Sequence, residues 1–584
     1  MKTRIMNTKF KYYLSLLFVL IVMFSFQNIE SQTSQSRSQD SIDTQVVTIV
    51  KPYTPKISDA FKLKQSPGMS ISDKSLKSVK YTIFSIPVAS TFIPAKGNSL
   101  GIVRARKNKL FQNYASLGIG NYGTVLGNLY LNHKISRGEA LGCYMEHHSS
   151  QGGIDGIQLE DTFSNNKVQV NYTKALKAFV WNTDVAYERQ SINWYGLPFI
   201  TLVPIDSKQV YSALSLSSDV QFTKGVFQTG GIDFQRFSDA YSSQEYRLKA
   251  ESSLQFNVFN QSITSDLSID YLNGKFNQSD LIPERNNYGN TLFSVTPSYK
   301  YFQGDLAVSF GLRAAFLTDP NRNVNKFYIY PNIEASFSVV NSILIAYASL
   351  KGGLNQNSYS DFAQINPFIS PTLEIRSSST PYELIIGAKG KLSQSIAYDL
   401  NGSYSKQNNK ALFRSNTIMN LSSITNYNQG NSFGIVYDDV DIFNASGTLE
   451  FDMTQKLNMR LKGNLYKYTS DLEPTAWNLP DFEASLFLDY KISDKWLFGG
   501  NLFYYGSRQD TTHFEGLLIP GTITANQSLD AFLDANVQLD YQISTQWGAF
   551  LKVNNMTNAN YKRWNHYSVQ GFQILGGASY KFDF

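Results

Sequence analysis

The segment VQGFQILGGASYKFDF, residues 569–584, decides how the rest of the chain is read. Phe572, Ile574, Gly576, Ala578, Tyr580, Phe582 and Phe584 share one parity. Gln573, Gly577, Ser579, Lys581 and Asp583 share the other, and Leu575 is the single intruder. Successive side chains of a β-strand point to opposite faces, so this strand carries one apolar and one polar face to its last residue. A soluble sheet could use the apolar face against a core. A membrane barrel could use it against lipid.

Composition separates the two. Of 584 residues, 14% are aromatic and only 17% charged, against about 25% charged in an average soluble domain. Most aromatics are Tyr (36) and Phe (40), which favour strands. Beyond the N-terminus there is no uninterrupted apolar run of the length, roughly 18 residues, that suggests a spanning helix. Strand-rich, aromatic, weakly charged and alternating is the composition of a transmembrane barrel. The net charge of +6 is small for this length, and no dense Lys/Arg run points to nucleic acid. With one cysteine, Cys143, neither an internal disulfide nor a Cys-based metal site can form.

The N-terminus places Lys2, Arg4, Lys9 and Lys11 before an apolar run over 12–26. That is the pattern of an export signal, with cleavage expected after Ser31. Residues 1–31 read as a signal peptide, 32–112 as an extended segment either periplasmic or filling the lumen, and 113–584 as the barrel. A bacterial outer-membrane location follows.

Strand number comes from repetition. KISDKW (491–496), KLSQSI (391–396), QISTQW (542–547) and DMTQKL (452–457) each place Ser or Thr after an aliphatic residue or Met, where a hydroxyl can bond nearby backbone in a turn. Weaker versions lie at 133–141, 172–179, 221–227, 258–264, 302–308 and 339–345. Long Asn/Ser/Gly-rich segments alternate with these ten turns, the largest at 149–166, 189–208, 272–290, 351–380, 408–438 and 506–527. Ten turns join twenty strands. A strand at 114–121 and the terminal strand at 571–584 bring the total to 22, within a range of 18–22. The fold class is therefore all-β: an antiparallel up-and-down barrel with short periplasmic turns and long extracellular loops. Twenty-two is the strand number of outer-membrane transporters with a plugged lumen.

The final third resembles TonB-dependent receptors of Bacteroidetes-type bacteria. The resemblance rests on 479–510, on 533–582 with its VNNMTNANY segment, and on YELIIGAKGKL (382–392). It implies transport or binding of a solute across the outer membrane and no enzymatic activity. The alternating end resembles the signal read by the barrel-assembly machinery, with Tyr580, Phe582 and Phe584 as that address. DTQVVTIV (43–50) is similar to the box grasped by a TonB-type energy transducer, with Asp43, Thr44, Val46, Val47 and Thr48 in matching places. An extended β-branched peptide suits capture by strand addition. The family's plug segments are not found between Val50 and Tyr114. The second reading is therefore a plug-less barrel serving as a structural or assembly subunit for other envelope proteins, or a passive channel. Its contact peptide would meet a periplasmic or surface protein. Outer-membrane lipid is the partner common to both readings.

Sites of chemistry are sparse. No Walker motif, Gly-x-Ser-x-Gly elbow or HExxH is present, and no cofactor is expected. His147 and His148 are strand neighbours that point to opposite faces, so they cannot share a metal. The carboxylates of 153–161 have a spacing common in polar loops. Tyr561, Trp564 and Tyr567 are candidate outer-loop ligand contacts. With Trp194, Tyr195 and Trp477 they also suit an interfacial aromatic girdle.

Overall fold

The computed structural model describes residues 111–198, 205–259, 261–278, 287–417, 427, 429–454, 456–515 and 522–584. The expected leader 1–31, the box 43–50 and the segment up to residue 110 lie outside the described residues. The described residues hold 26 strands, β1 to β26 in chain order, and 22 of them form one closed antiparallel sheet. The first, β1 (Asn113–Gly120), pairs with β2 (Val125–Ser136) on one side and with the last, β26 (Gln573–Phe582), on the other. Closure runs from Asn113 opposite Phe582 to Gly120 opposite Leu575. The Gln112 N–H donates to Asp583 at 2.8 Å, so chain entry and chain end share one rim. A closed sheet leaves no strand edge with unpaired N–H and C=O groups, the condition for crossing lipid with strands.

All ten expected short turns sit on that same rim, each joining two neighbouring barrel strands. The hydroxyls act as their position implied. Ser493 Oγ accepts from the N–H groups of Lys495 and Trp496 at 3.2 and 3.3 Å, and Ser544 Oγ from those of Gln546 and Trp547 at 3.2 and 3.0 Å. These local bonds hold turn N–H groups that the ladder leaves free.

Parity sorts the wall into a lipid face and a lumen face. Leu117, Val168, Leu214, Phe293, Ile329 and Leu461 are exposed on the outside, while their chain neighbours Ser116, Lys167, Ala213, Ser294, Tyr330 and Lys462 point inward. The terminal strand follows the rule. Its intruder Leu575 points into the lumen and meets Leu126 and Phe550 in a small apolar cluster. The other parity carries a ladder of rings at the short-turn rim: Trp547–Tyr580 at 4.6 Å, Tyr580–Phe582 at 5.6 Å and Phe582–Phe584 at 5.6 Å.

Several strands run well past the lipid. A bilayer needs about 9–11 residues of tilted strand, yet β15 (Ile396–Ser415) has 20 and β16 (Phe433–Thr454) has 22. Their short turns are fixed at the other rim, so the surplus rises on the long-loop side and consumes part of the expected loop 408–438. Two further elements occupy expected loops. A hairpin of β20 (Arg508–Glu515) and β21 (Thr522–Leu529) fills most of 506–527 and runs two residues past it. A short helix, Tyr359–Ile365, starts at Ser358, whose Oγ accepts from Asp361 N–H at 3.0 Å.

Candidate functional site: a cap built from the long loops

The long-loop mouth contains an apolar core of its own. Trp194, Tyr195, Tyr359, Phe368, Phe433 and Tyr567 are buried together, drawn from the connections 194–207, 356–377 and 555–572 and from the start of β16. Phe368 stacks on Tyr567 with ring centroids 3.5 Å apart, and Tyr195 meets Tyr567 edge-on at 5.0 Å. Trp194, Tyr195 and Tyr567 each place a polar tip on a backbone carbonyl of another segment. The Pro367 carbonyl accepts from Trp194 Nε1 and from Tyr211 OH, both at 3.0 Å. Tyr567 OH donates to the Asn431 carbonyl at 2.6 Å, and Tyr195 OH to the Ser568 carbonyl at 2.7 Å. Buried rings with satisfied tips both fill and orient a core. Gly196 belongs to the same packing, because a Cβ there would lie 2.7 Å from the Tyr567 ring.

Two charged clusters fasten this core to the wall. The first lies under the helix. Glu245, fully buried at the outer end of β8 (Gln244–Val258), accepts from Tyr359 N–H at 2.7 Å, Ser360 N–H at 3.1 Å and Tyr288 OH at 2.7 Å. A carboxylate there takes up free first-turn N–H groups. Two residues along, Arg247 grips Asp270 with two bonds, 2.9 Å from Nε and 2.7 Å from Nη2, and reaches Asp361 in the helix at 2.7 Å. Tyr359 OH donates to Asp239 at 2.8 Å, and burial pushes that carboxyl above its ordinary range.

The second cluster joins the β20–β21 hairpin to the last loop. Arg508 donates to the carbonyls of Arg563 and Lys562 at 2.7 and 2.8 Å while lying over the Tyr505 and Phe532 rings. Its burial brings the guanidinium down to about 10. Asp510 accepts from Ser415 N–H and Oγ at 3.0 and 2.8 Å, which ties the hairpin to the tall end of β15.

Tyr561, Trp564 and Tyr567 are all in the cap. Trp564 and Tyr567 are buried in its core, and half-buried Tyr561 stacks on Phe532 with centroids 4.0 Å apart. Trp194, Tyr195 and Trp477 are buried as well, so none of the three stands in a headgroup girdle. His148 faces inward against the Phe163 ring, and His147 faces outward beside Asn166 and Ser149. Asp161, within 153–161, accepts from the Ile154 N–H at 2.8 Å. A cavity of about 70 Å³ lies beneath the cap between Phe163, Ile192, Tyr195 and Phe368. Glu245, Arg247, Asp270 and Asp361 escaped sequence reading. Their trace was an inward-facing Glu and Arg two apart at a strand end, but the acid that completes the latch lies 114 residues on.

No protein-family model and no curated protein matches the chain. Solved structures do. The ferripyoverdine receptor of the outer membrane of Pseudomonas aeruginosa, bound to ferripyoverdine, aligns with a TM-score of 0.56 and 12% identity, over 81% of this chain and 72% of that one. The ferric-catecholate import receptor Fiu of E. coli K12, in a closed form, gives 0.57 and 11% over 82% of each. The FrpB iron transporter of Neisseria meningitidis, as apoprotein, gives 0.59 and 10% over 81% of each. At these identities the likeness is one of fold: this chain has the closed 22-stranded architecture of bacterial outer-membrane receptors.

Proposed function

We propose that this protein takes up or binds a solute at the outer face of the membrane, with the loop cap as its outer gate. The observation that carries the reading is the cap's own apolar core, latched to the wall by Glu245 and Arg247. A passive pore gains nothing from loops packed to such a degree over its mouth. A receptor that admits solute on demand does. The solved neighbours are, by their names, receptors and transporters for iron or iron complexes, so ferric chelates are the first solutes to test. Residues 43–50 are proposed as the grip for a TonB-type transducer, and Tyr580, Phe582 and Phe584 as the address for barrel assembly. Tyr561, Trp564 and Tyr567 are proposed to meet solute once the cap opens.

The test is single-channel conductance in a planar bilayer. Full-length protein is expected to be closed, and Arg247→Ala to show open bursts. Equal, steady conductance by both would overturn the gate. Deleting 43–50 separates energised import from a scaffold role. Loss of uptake with normal insertion supports import, and loss of co-purifying partners supports the scaffold.

A further inference from the structure

The outer wall carries a feature that solute uptake does not use. On the lipid-facing side of six consecutive strands, one row of cross-strand partners is polar throughout: Asn166, Arg189, Ser212, Ser238, Gln244 and Lys275. It lies at the long-loop end of the wall. The next outward row toward the short turns is mixed, Val168, Tyr187, Leu214, Arg236, Tyr246 and Asn273. The row after that is wholly apolar: Val170, Val185, Leu216, Phe234, Leu248 and Tyr271. The polar row is therefore a ledge along the upper edge of the apolar belt, at headgroup height in the outer leaflet.

Three cations mark it and the row beneath. Arg189 and Lys275 of this row and Arg236 of the row directly beneath it are exposed, and among the described residues none forms an ion pair. Arg236 lies over the Tyr246 ring at 5.9 Å, which fixes its stem and leaves the guanidinium edge free. They occur on every second strand, so each is set about 10 Å from the next across the sheet at the usual spacing of roughly 4.8 Å per strand, with Arg236 roughly 7 Å lower along its strand. The amides and hydroxyls between them add neutral hydrogen-bonding groups. Outward-facing Lys406 has Asp441 as its cross-strand neighbour and lies 3.9 Å from Asp471.

We propose that this ledge binds the phosphate groups of outer-leaflet lipid, holding an annulus of phosphorylated lipid against one side of the barrel. Guanidinium and ammonium groups at a low-dielectric edge favour phosphate oxygens, and Arg can offer two parallel donors. The apolar rows beneath accept the acyl chains of the same molecule, so one ligand satisfies both surfaces.

The experiment is native mass spectrometry of the full-length protein in detergent, titrated with diphosphoryl lipid A, with phosphatidylcholine as the neutral-headgroup reference. Lipid A is expected to bind more tightly than phosphatidylcholine. The Arg189→Ser, Arg236→Ser, Lys275→Ser triple variant is expected to bind it roughly 100-fold more weakly, from about a five-fold loss per surface cation. Lys406→Ser is expected to bind as wild type. Wild-type affinity in the triple variant overturns the proposal. So does full competition by inorganic phosphate at equal phosphate concentration, which would mark a general anion surface. Should the triple variant fail the heat-shift test for a folded barrel, Arg236→Ser alone decides. A drop of about five-fold supports the ledge, and no drop sinks it.

Discussion

The two rims of this barrel are built by different rules. The short-turn rim is local. Each turn closes within a few residues, and in the turns at Ser393, Ser493 and Ser544 the hydroxyl holds an N–H two or three positions away. The long-loop rim is global. Tyr567 rests on Phe368 and bonds Asn431, while Arg247 reaches a helix 114 residues on. A local rim repeats, so loss of one turn leaves nine. A global rim is a single packed unit, and loss of one ring or one ion pair is felt across it.

Four substitutions test that contrast, in decreasing order of expected effect. Tyr567→Ala removes the central ring of the cap and one bond to Asn431. It should cost the cap about 4 kcal/mol, seen as faster hydrogen exchange in 194–198, 356–377 and 555–572 together while barrel amides stay protected. Exchange confined to 555–572 would break the claim of one unit. Arg247→Ala leaves Asp270 without its cation and should cost about 3 kcal/mol, read in the same exchange experiment and as open-channel bursts. Gly196→Ala pushes a methyl against the Tyr567 ring and should cost about 2 kcal/mol, with a smaller rise in opening frequency. Ser493→Ala should change thermal stability by no more than about 0.5 kcal/mol and leave conductance untouched. A large effect there would erase the distinction between the rims.

The same contrast explains what could be read from sequence. The barrel was legible because its signals are short-range. Alternation at 572–584 and in 457–465 names the faces, and the repeated aliphatic–Ser/Thr turn gives the strand count. Even Leu575, which breaks its own pattern, finds Leu126 and Phe550 on the lumen side. The cap was not legible. Trp194, Tyr359, Phe433 and Tyr567 sit in four separate stretches with no common spacing, and each alone resembles an interfacial aromatic. Only the fold shows that the tall ends of β15 and β16 wall in a space where these rings exclude water. The helix at Tyr359–Ile365 was equally hidden. Seven residues with Ser358 as cap make a weak signal, and much of its support is Glu245 on another strand.

The seam between β1 and β26 has a consequence for how the molecule comes into being. Asn113 Nδ2 donates to the Phe582 carbonyl across a separation of 469 residues. Bringing such distant points together in a free chain costs about 5 kcal/mol of loop entropy beyond a constant. Pairing the other strands first shortens that path to the circumference of a curved sheet. The order of events then follows from geometry. The ribbon grows hairpin by hairpin, its two free edges approach, and the ends zip last. Until then the barrel is an open sheet with two adhesive margins, β1 and β26.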